Sequence, residues 1–157
     1  PDDPDAYSNI GLIYYNQGQL DEAIQKYISA LRANPYHKGA HLNLGSAYYR
    51  IGQLNAAIKE YMAVLRLKPD DPGAHHNLGL AYYHQGYIDE AILEYITAIK
   101  IRPEDPDVHY NLGIAYVRKG LKQKAREEFK TALRLNRDFY DARKAIALLD
   151  KESQTFK

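Results

Sequence analysis

Four asparagines, Asn9, Asn43, Asn77 and Asn111, stand 34 residues apart along the chain. A carboxamide carries two donors and one acceptor, so a row of them can pair with the amides of a peptide backbone whatever its side chains. Asparagine also costs roughly 0.5 kcal/mol against alanine in a helix, so its return at one phase asks for a reason. Tyrosine pairs follow at the same interval: Tyr14-Tyr15, Tyr48-Tyr49 and Tyr82-Tyr83. Tyrosine offers a large apolar face, a polar tip and few rotamers to freeze, which suits contact with protein. Two roles stay open for the asparagines. They hold an extended ligand, or they bond the neighbouring unit and stiffen the array, and neither role excludes the other.

His41, His75 and His109 share the interval and raise the question of a metal. Successive members would stand ~10 Å apart, a helix-packing distance, whereas zinc needs its ligands at ~2 Å. They fit an aromatic core slot instead. His76 and His84 lie ~12 Å apart along a helix, again too far to chelate together, and read better as surface contacts. The chain has no cysteine, hence no thiolate site and no disulfide framework. Asp21-Glu22 and Asp89-Glu90 open predicted helices, where negative charge complements the dipole. No nucleophile–base set and no glycine-rich phosphate loop is present. The expectation is a non-enzyme with no cofactor and no metal.

The 157 residues carry 45% hydrophobic and 26% charged side chains, a globular composition. No apolar run reaches the ~18 residues of a membrane span, and no signal peptide is visible, so a soluble, cytoplasmic chain is expected. The net charge of +1 conceals an imbalance: residues 1–117 hold 9 Lys/Arg against 14 Asp/Glu, and residues 118–157 hold 12 against 6.

What must position these residues is a repeat. Gly11, Gly45, Gly79 and Gly113 keep the interval, as do Gly18, Gly52, Gly86 and Gly120, and Ala23, Ala57, Ala91 and Ala125. Pro35, Pro69 and Pro103 close three of the units. A fixed period of this length marks a solenoid. Each unit reads as two helices. The first opens at Asp3-Pro4, Asp71-Pro72 or Asp105-Pro106, where aspartate caps and proline suits the first turn. It stops at the second glycine of the unit, free to turn left-handed. The second helix starts around Asp21, Asn55, Asp89 or Gln123. Tyr7, Ile10 and Tyr14 form the predicted core stripe of one helix, and Ile24, Tyr27 and Leu31 that of its partner. Gly11 and Ala23 let the two approach closely.

These residues resemble the tetratricopeptide repeat family. Its pattern of aromatic-x₂-Leu-Gly-x₂-Tyr, Ala-x₃-aromatic and a closing Pro stands here as Tyr7, Ile10-Gly11, Tyr14, Ala23, Tyr27 and Pro35. It stands again as His41, Leu44-Gly45, Tyr48, Ala57, Tyr61 and Pro69, and from His75 to Pro103. The resemblance implies an all-α fold, a right-handed alpha-alpha superhelix. Its repeats would span residues 4–37, 38–71, 72–105 and 106–139, with a C-terminal capping helix over 140–153. Three departures carry expectations. Val64 in place of a small residue predicts a slightly different helix approach. Arg137 in place of proline, together with "LKQKARE", predicts a more exposed second helix in the fourth unit. Pro1 falls at the closing position of a preceding unit, which predicts a further repeat upstream or end-to-end self-association through Tyr7, Ile10 and Tyr14.

The resemblance also places the first helices on the concave side. Their unused stripe then forms a peptide-binding groove of Asn9, Leu12, Tyr15, Asn43, Tyr49, Arg50, His76, Asn77, Leu80, Tyr83, His84, Tyr110, Asn111, Ile114 and Arg118, with Ser8, Leu42 and Ser46 alongside. Family members that clamp the C-terminal tails of Hsp70 or Hsp90 use groove lysines; Ser8, Leu12, Gly39, Leu42 and Gly73 stand nearby here, and such tails are not expected partners. Nucleic acid is not expected either, since Arg50 and Arg118 are the clear groove cations. The cluster of Lys122, Lys124, Arg126, Lys130 and Arg134 falls on the last second helix. The expected function is therefore capture of a protein or peptide partner. Two alternatives remain: a scaffold joined through its ends, or the targeting region of a larger enzyme such as a protein glycosyltransferase.

Overall fold

The computed structural model of the chain describes residues 3–155, with side chains as far as Lys151. The described residues form nine helices and no strand. In order they are α1 (Pro4–Asn16), α2 (Leu20–Ala33), α3 (Lys38–Arg50), α4 (Leu54–Leu67), α5 (Pro72–Gln85), α6 (Ile88–Ile101), α7 (Pro106–Arg118), α8 (Lys122–Leu135) and α9 (Tyr140–Thr155). None is long and apolar enough to cross a membrane.

The local signals explain the boundaries. Asp3, Asp71 and Asp105 accept backbone N–H bonds at the starts of α1, α5 and α7, with proline in the first turn. α3 has no Asp-Pro, and its cap is His37, whose Nδ1 accepts from the Ala40 N–H at 2.9 Å. That bond needs a bare Nδ1, so the ring proton lies on Nε2, which donates to Asp5 at 2.8 Å. Gly18, Gly52, Gly86 and Gly120 all take φ between +76° and +88°. A Cβ at any of them would meet nothing within 4 Å, so backbone conformation alone calls for glycine there. α8 closes with Asn136 extended at φ −131°, matching Asn34, Lys68 and Arg102 although no proline follows it.

Each second helix packs against its own first helix and against the next one, so α2 lies between α1 and α3, and α8 between α7 and α9. The first helices α1, α3, α5 and α7 also touch one another in a row. The stack therefore curves toward the first helices. In every hairpin a ring from the second helix lies on a glycine of the first. A Cβ at Gly11, Gly45, Gly79 or Gly113 would stand 2.5–2.6 Å from Cε1 of Tyr27, Tyr61, Tyr95 or Phe129. Only glycine fits. Val64 is fully buried where other units carry Ala30, Ala98 and Ala132, yet the Gly45–Tyr61 approach is as close as the others. The different helix approach expected there is not seen at this contact. Nor is α8 stripped bare: Ala125, Phe129 and Ala132 are fully buried, because Ala142 and Leu149 of α9 join the same core.

The three periodic histidines are not apolar filler. His41, His75 and His109 each place Nδ1 2.6 Å from Glu60, Glu94 or Glu128, and Nε2 2.9 Å from the carbonyl of Pro35, Pro69 or Pro103. Each ring ties the second helix to the preceding loop. In the first unit both partners change together, to Tyr7 and Lys26.

At the N-terminal face the uncovered residues are Ala6, Ile10 and Ile13, rather than the expected Tyr7, Ile10 and Tyr14. Ile10 is 39% and Ile13 56% exposed, while their counterparts Leu44, Leu78, Leu112, Ala47, Ala81 and Ala115 are at 3% or below. Tyr7 and Tyr14 are half-buried.

Candidate functional site

The row of first helices leaves two clefts near its N-terminal end. One, of about 110 Å³, lies between α1 and α3 and is lined by Leu12, Tyr15, Asn43, Ser46 and Tyr27. The next, of about 220 Å³, lies between α3 and α5 and is lined by Tyr15, Ser46, Tyr49, Arg50, Asn77, Leu80 and Tyr61. Seven residues of the predicted groove thus meet in two adjoining clefts: Leu12, Tyr15, Asn43, Tyr49, Arg50, Asn77 and Leu80. The clefts have this form because consecutive first helices are wedged apart by the intervening second helix, whose tyrosine reaches through to the floor.

The tyrosines at the rim are braced. The Arg50 guanidinium lies over the Tyr15 ring, 4.7 Å from its centroid, and donates to the Tyr15 carbonyl at 3.2 Å. The His84 ring meets Tyr49 and Tyr83 edge-on, both at 5.5 Å. Arg118 lies 5.3 Å over Tyr83. One rule covers Arg50, His84 and Arg118: the residue two after the first tyrosine of its unit's pair, or after Tyr116 in the fourth unit, covers the second tyrosine of the preceding unit. At the surface such a cation–π contact contributes about 0.5–1 kcal/mol, enough to hold ring orientation.

The asparagines divide. Asn111 donates its amide to His76 Nε2 at 2.8 Å, the inter-unit bond that one reading anticipated. His76 has its pKa lowered, by burial first and against the pull of Asp105 and Asp107, which keeps that nitrogen an acceptor. Its ring also tilts over Tyr95 at 6.0 Å, so the third gap is filled. Asn43 and Asn77 are half-buried, and neither side chain has a hydrogen bond within the described protein. Asn9 is exposed on the first helix, outside both clefts.

The C-terminal part of the predicted stripe is spent on packing. Tyr110 contacts Phe129 at 5.6 Å and Phe139 at 5.0 Å, and Ile114 packs on the same core. Ser8 is only 6% exposed and is not a groove residue. The basic cluster on α8 is engaged locally: Lys130 pairs with Glu127 at 2.9 Å, Arg126 with Asp150, and Lys124 sits over the Tyr116 ring at 5.6 Å.

Sequence reasoning missed the cleft floor. Tyr27 and Tyr61 read as core residues, and their rings are, at 0% and 2% exposed. Burial pushes both phenols up to about 12. The overlooked signal was Phe129 in the same slot, which shows that packing asks for the ring alone.

Residues 11–52, 45–86 and 81–120 match a family model described as TPR repeat, and residues 106–139 match one described as tetratricopeptide repeat. No curated protein matches closely enough to count as a relative. Among solved structures, MamA is similar at 28% identity and TM-score 0.86, covering 92% of this chain and 85% of its own. PilF of Pseudomonas aeruginosa is similar at 26% identity and TM-score 0.89, over 98% of this chain and 70% of that one. The first TPR domain of Spaghetti (RPAP3), solved bound to an HSP90 peptide, shares the fold at 23% identity and TM-score 0.73, over 74% and 93%.

Proposed function

The chain belongs to the tetratricopeptide repeat family, and from that premise we propose that it captures a peptide segment of a partner protein in the clefts between its first helices. Repeats of this family are protein-interaction modules and are typically non-catalytic, so a protein partner is the general expectation. The observation that carries the finer reading is the pair of unspent carboxamides, Asn43 and Asn77, each lining a cleft beside braced tyrosines. Hydrogen-bonding groups left open in half-buried positions are matched by an incoming backbone. Asn77, Tyr49, Leu80 and Arg50 form the larger pocket, and Tyr83 with His84 extends its rim. Tails of the Hsp70 and Hsp90 kind do not suit this surface, whose pockets hold no lysine. RNA does not suit it either, because phosphate binding demands clustered free cations.

The test uses a displayed library of random twelve-residue peptides selected on the wild-type protein. The best peptide should bind the Asn77→Ala/Tyr83→Ala variant at least tenfold more weakly, with the circular dichroism spectrum showing both proteins folded at the assay temperature. Equal affinity for both proteins rules out the groove reading.

A second reading rests on the uncovered Ala6, Ile10 and Ile13 face, which would join this end of the stack to another copy. It concerns the end and not the groove, so both can hold.

A further inference from the structure

The first cleft has a property that peptide capture alone does not require. Its floor residue Tyr27 is 0% exposed, and among the described residues its hydroxyl is the one buried side-chain polar atom without a hydrogen-bond partner. Such a group destabilises the free protein.

Comparing the four units shows that packing does not call for this hydroxyl. Leu12, Ser46, Leu80 and Ile114 occupy one slot, opposite the rings of Tyr27, Tyr61, Tyr95 and Phe129. In the second unit Ser46 and Tyr61 line the same cleft. In the fourth, apolar Ile114 faces apolar Phe129. In the third, His76 and Asn111 close the gap. The third unit, like the first, sets a leucine beside a tyrosine, but among the described residues only the Tyr27 hydroxyl is both buried and without a partner. Phe129 lies on Gly113 as Tyr27 lies on Gly11, so phenylalanine would pack equally well at position 27.

We propose that the cleft between α1 and α3 is an amide-reading pocket: the ligand carbonyl accepts from the Tyr27 hydroxyl while the ligand N–H donates to Asn43 Oδ1. This rests on the peptide-groove reading and assigns the chemistry of one of its positions. The lining of Leu12, Tyr15, Tyr27, Asn43 and Ser46 holds no charged side chain, so a carboxylate would lose hydration with no cation to replace it. Ser46 already donates to the Leu42 carbonyl at 3.0 Å, which leaves Tyr27 and Asn43 as the available pair. An amide supplies the complementary donor and acceptor. It comes from the peptide backbone or from an Asn or Gln side chain.

The experiment titrates isotope-labelled protein with N-methylacetamide for the backbone, propionamide for the side chain, and acetate as the charged control. The Asn43 side-chain and Tyr27 ring resonances are followed. One amide should shift both saturably, bind the Tyr27→Phe variant about fivefold more weakly and leave Asn43→Ala unshifted at residue 27; which amide does so distinguishes the two sources. Tyr27→Phe should melt at or above the wild-type temperature. Stronger binding of acetate, equal binding by Tyr27→Phe, or a clear fall in its melting temperature overturns the pocket. The peptide groove is judged separately by the Asn77→Ala/Tyr83→Ala variant: if that variant loses the selected peptide while Tyr27→Phe keeps the amides, the pocket fails and the groove stands.

Discussion

The side chains that hold the fourth hairpin to the loop before it are ionisable, and their balance depends on protons. His109 is 7% exposed and lies between the Glu128 carboxylate and the Pro103 carbonyl. Both partners only accept, so both ring nitrogens must carry protons for both bonds to form. The Glu128 bond raises the His109 pKa above its ordinary value; burial opposes this, and the Pro103 carbonyl adds to it. A raised folded pKa gives stability that is complete below about pH 6.5 and lost as pH climbs through the folded value. His76 works the other way: its lowered pKa favours the fold above about pH 6.5 and costs stability as pH falls below it. His109→Gln should therefore lower the urea midpoint most near pH 6 and progressively less toward pH 8.5. A deficit that stays constant over that range would mean that the ring acts only by its shape. Glu60, Glu94 and Glu128 each follow their histidine by 19 residues, so the pairing was written in the sequence. Spacing alone did not show that helix packing brings the two ends together.

Among the helices, starts vary more than stops. The left-handed glycine ends all four first helices in the same way, but the start of each is capped by whatever the local sequence supplies. Asp71 does most there: it accepts from the Ala74 N–H at 3.0 Å and from Lys38 Nζ at 2.9 Å, and is 8% exposed. Its carboxylate thus joins the start of α5 to the start of α3. Asp71→Ala should cost about 1–2 kcal/mol by urea unfolding, and the exposed cap Asp3 should cost less on the same substitution. Equal losses at the two positions would show that the Lys38 link contributes nothing. The aspartate caps were legible because Asp-Pro is a local signal. His37 was not, because a histidine becomes a cap only once its ring is held, here by Asp5 of the preceding unit.

Over the whole molecule, stability comes from nearest-neighbour stacking, and the two ends differ. α9 covers the last hairpin with Ala142 and Leu149, leaving charged residues outward. The first face leaves Ile10 and Ile13 to solvent. Ile10→Glu with Ile13→Glu should leave the melting temperature within a degree or two, since exposed sites change stability by no more than about 0.5 kcal/mol. Leu78→Glu, at the equivalent buried position, should unfold the protein. In sedimentation, wild-type mass should rise with concentration and the double variant should stay monomeric. A wild type that is strictly monomeric at high concentration removes the end-to-end reading.

The period of 34 residues, with its glycines, alanines and rings, determined the helices, their order and the glycine–ring contacts of the core by itself, though not the stripe of Tyr7, Ile10 and Tyr14, of which Ile10 is exposed. Those features answer to contacts within one unit or with the next, and such contacts repeat with the sequence. The groove was legible only as a stripe of candidates. Which asparagine stays open is decided by what stands opposite it: the His76 ring in the third gap takes Asn111, and nothing takes Asn43. Phe129 in the same slot was a hint that Tyr27 and Tyr61 are more than core residues, but their place at the cleft floor is set by the wedge between first helices. Complementarity between units depends on the distance and angle of stacking, and no single helix encodes those.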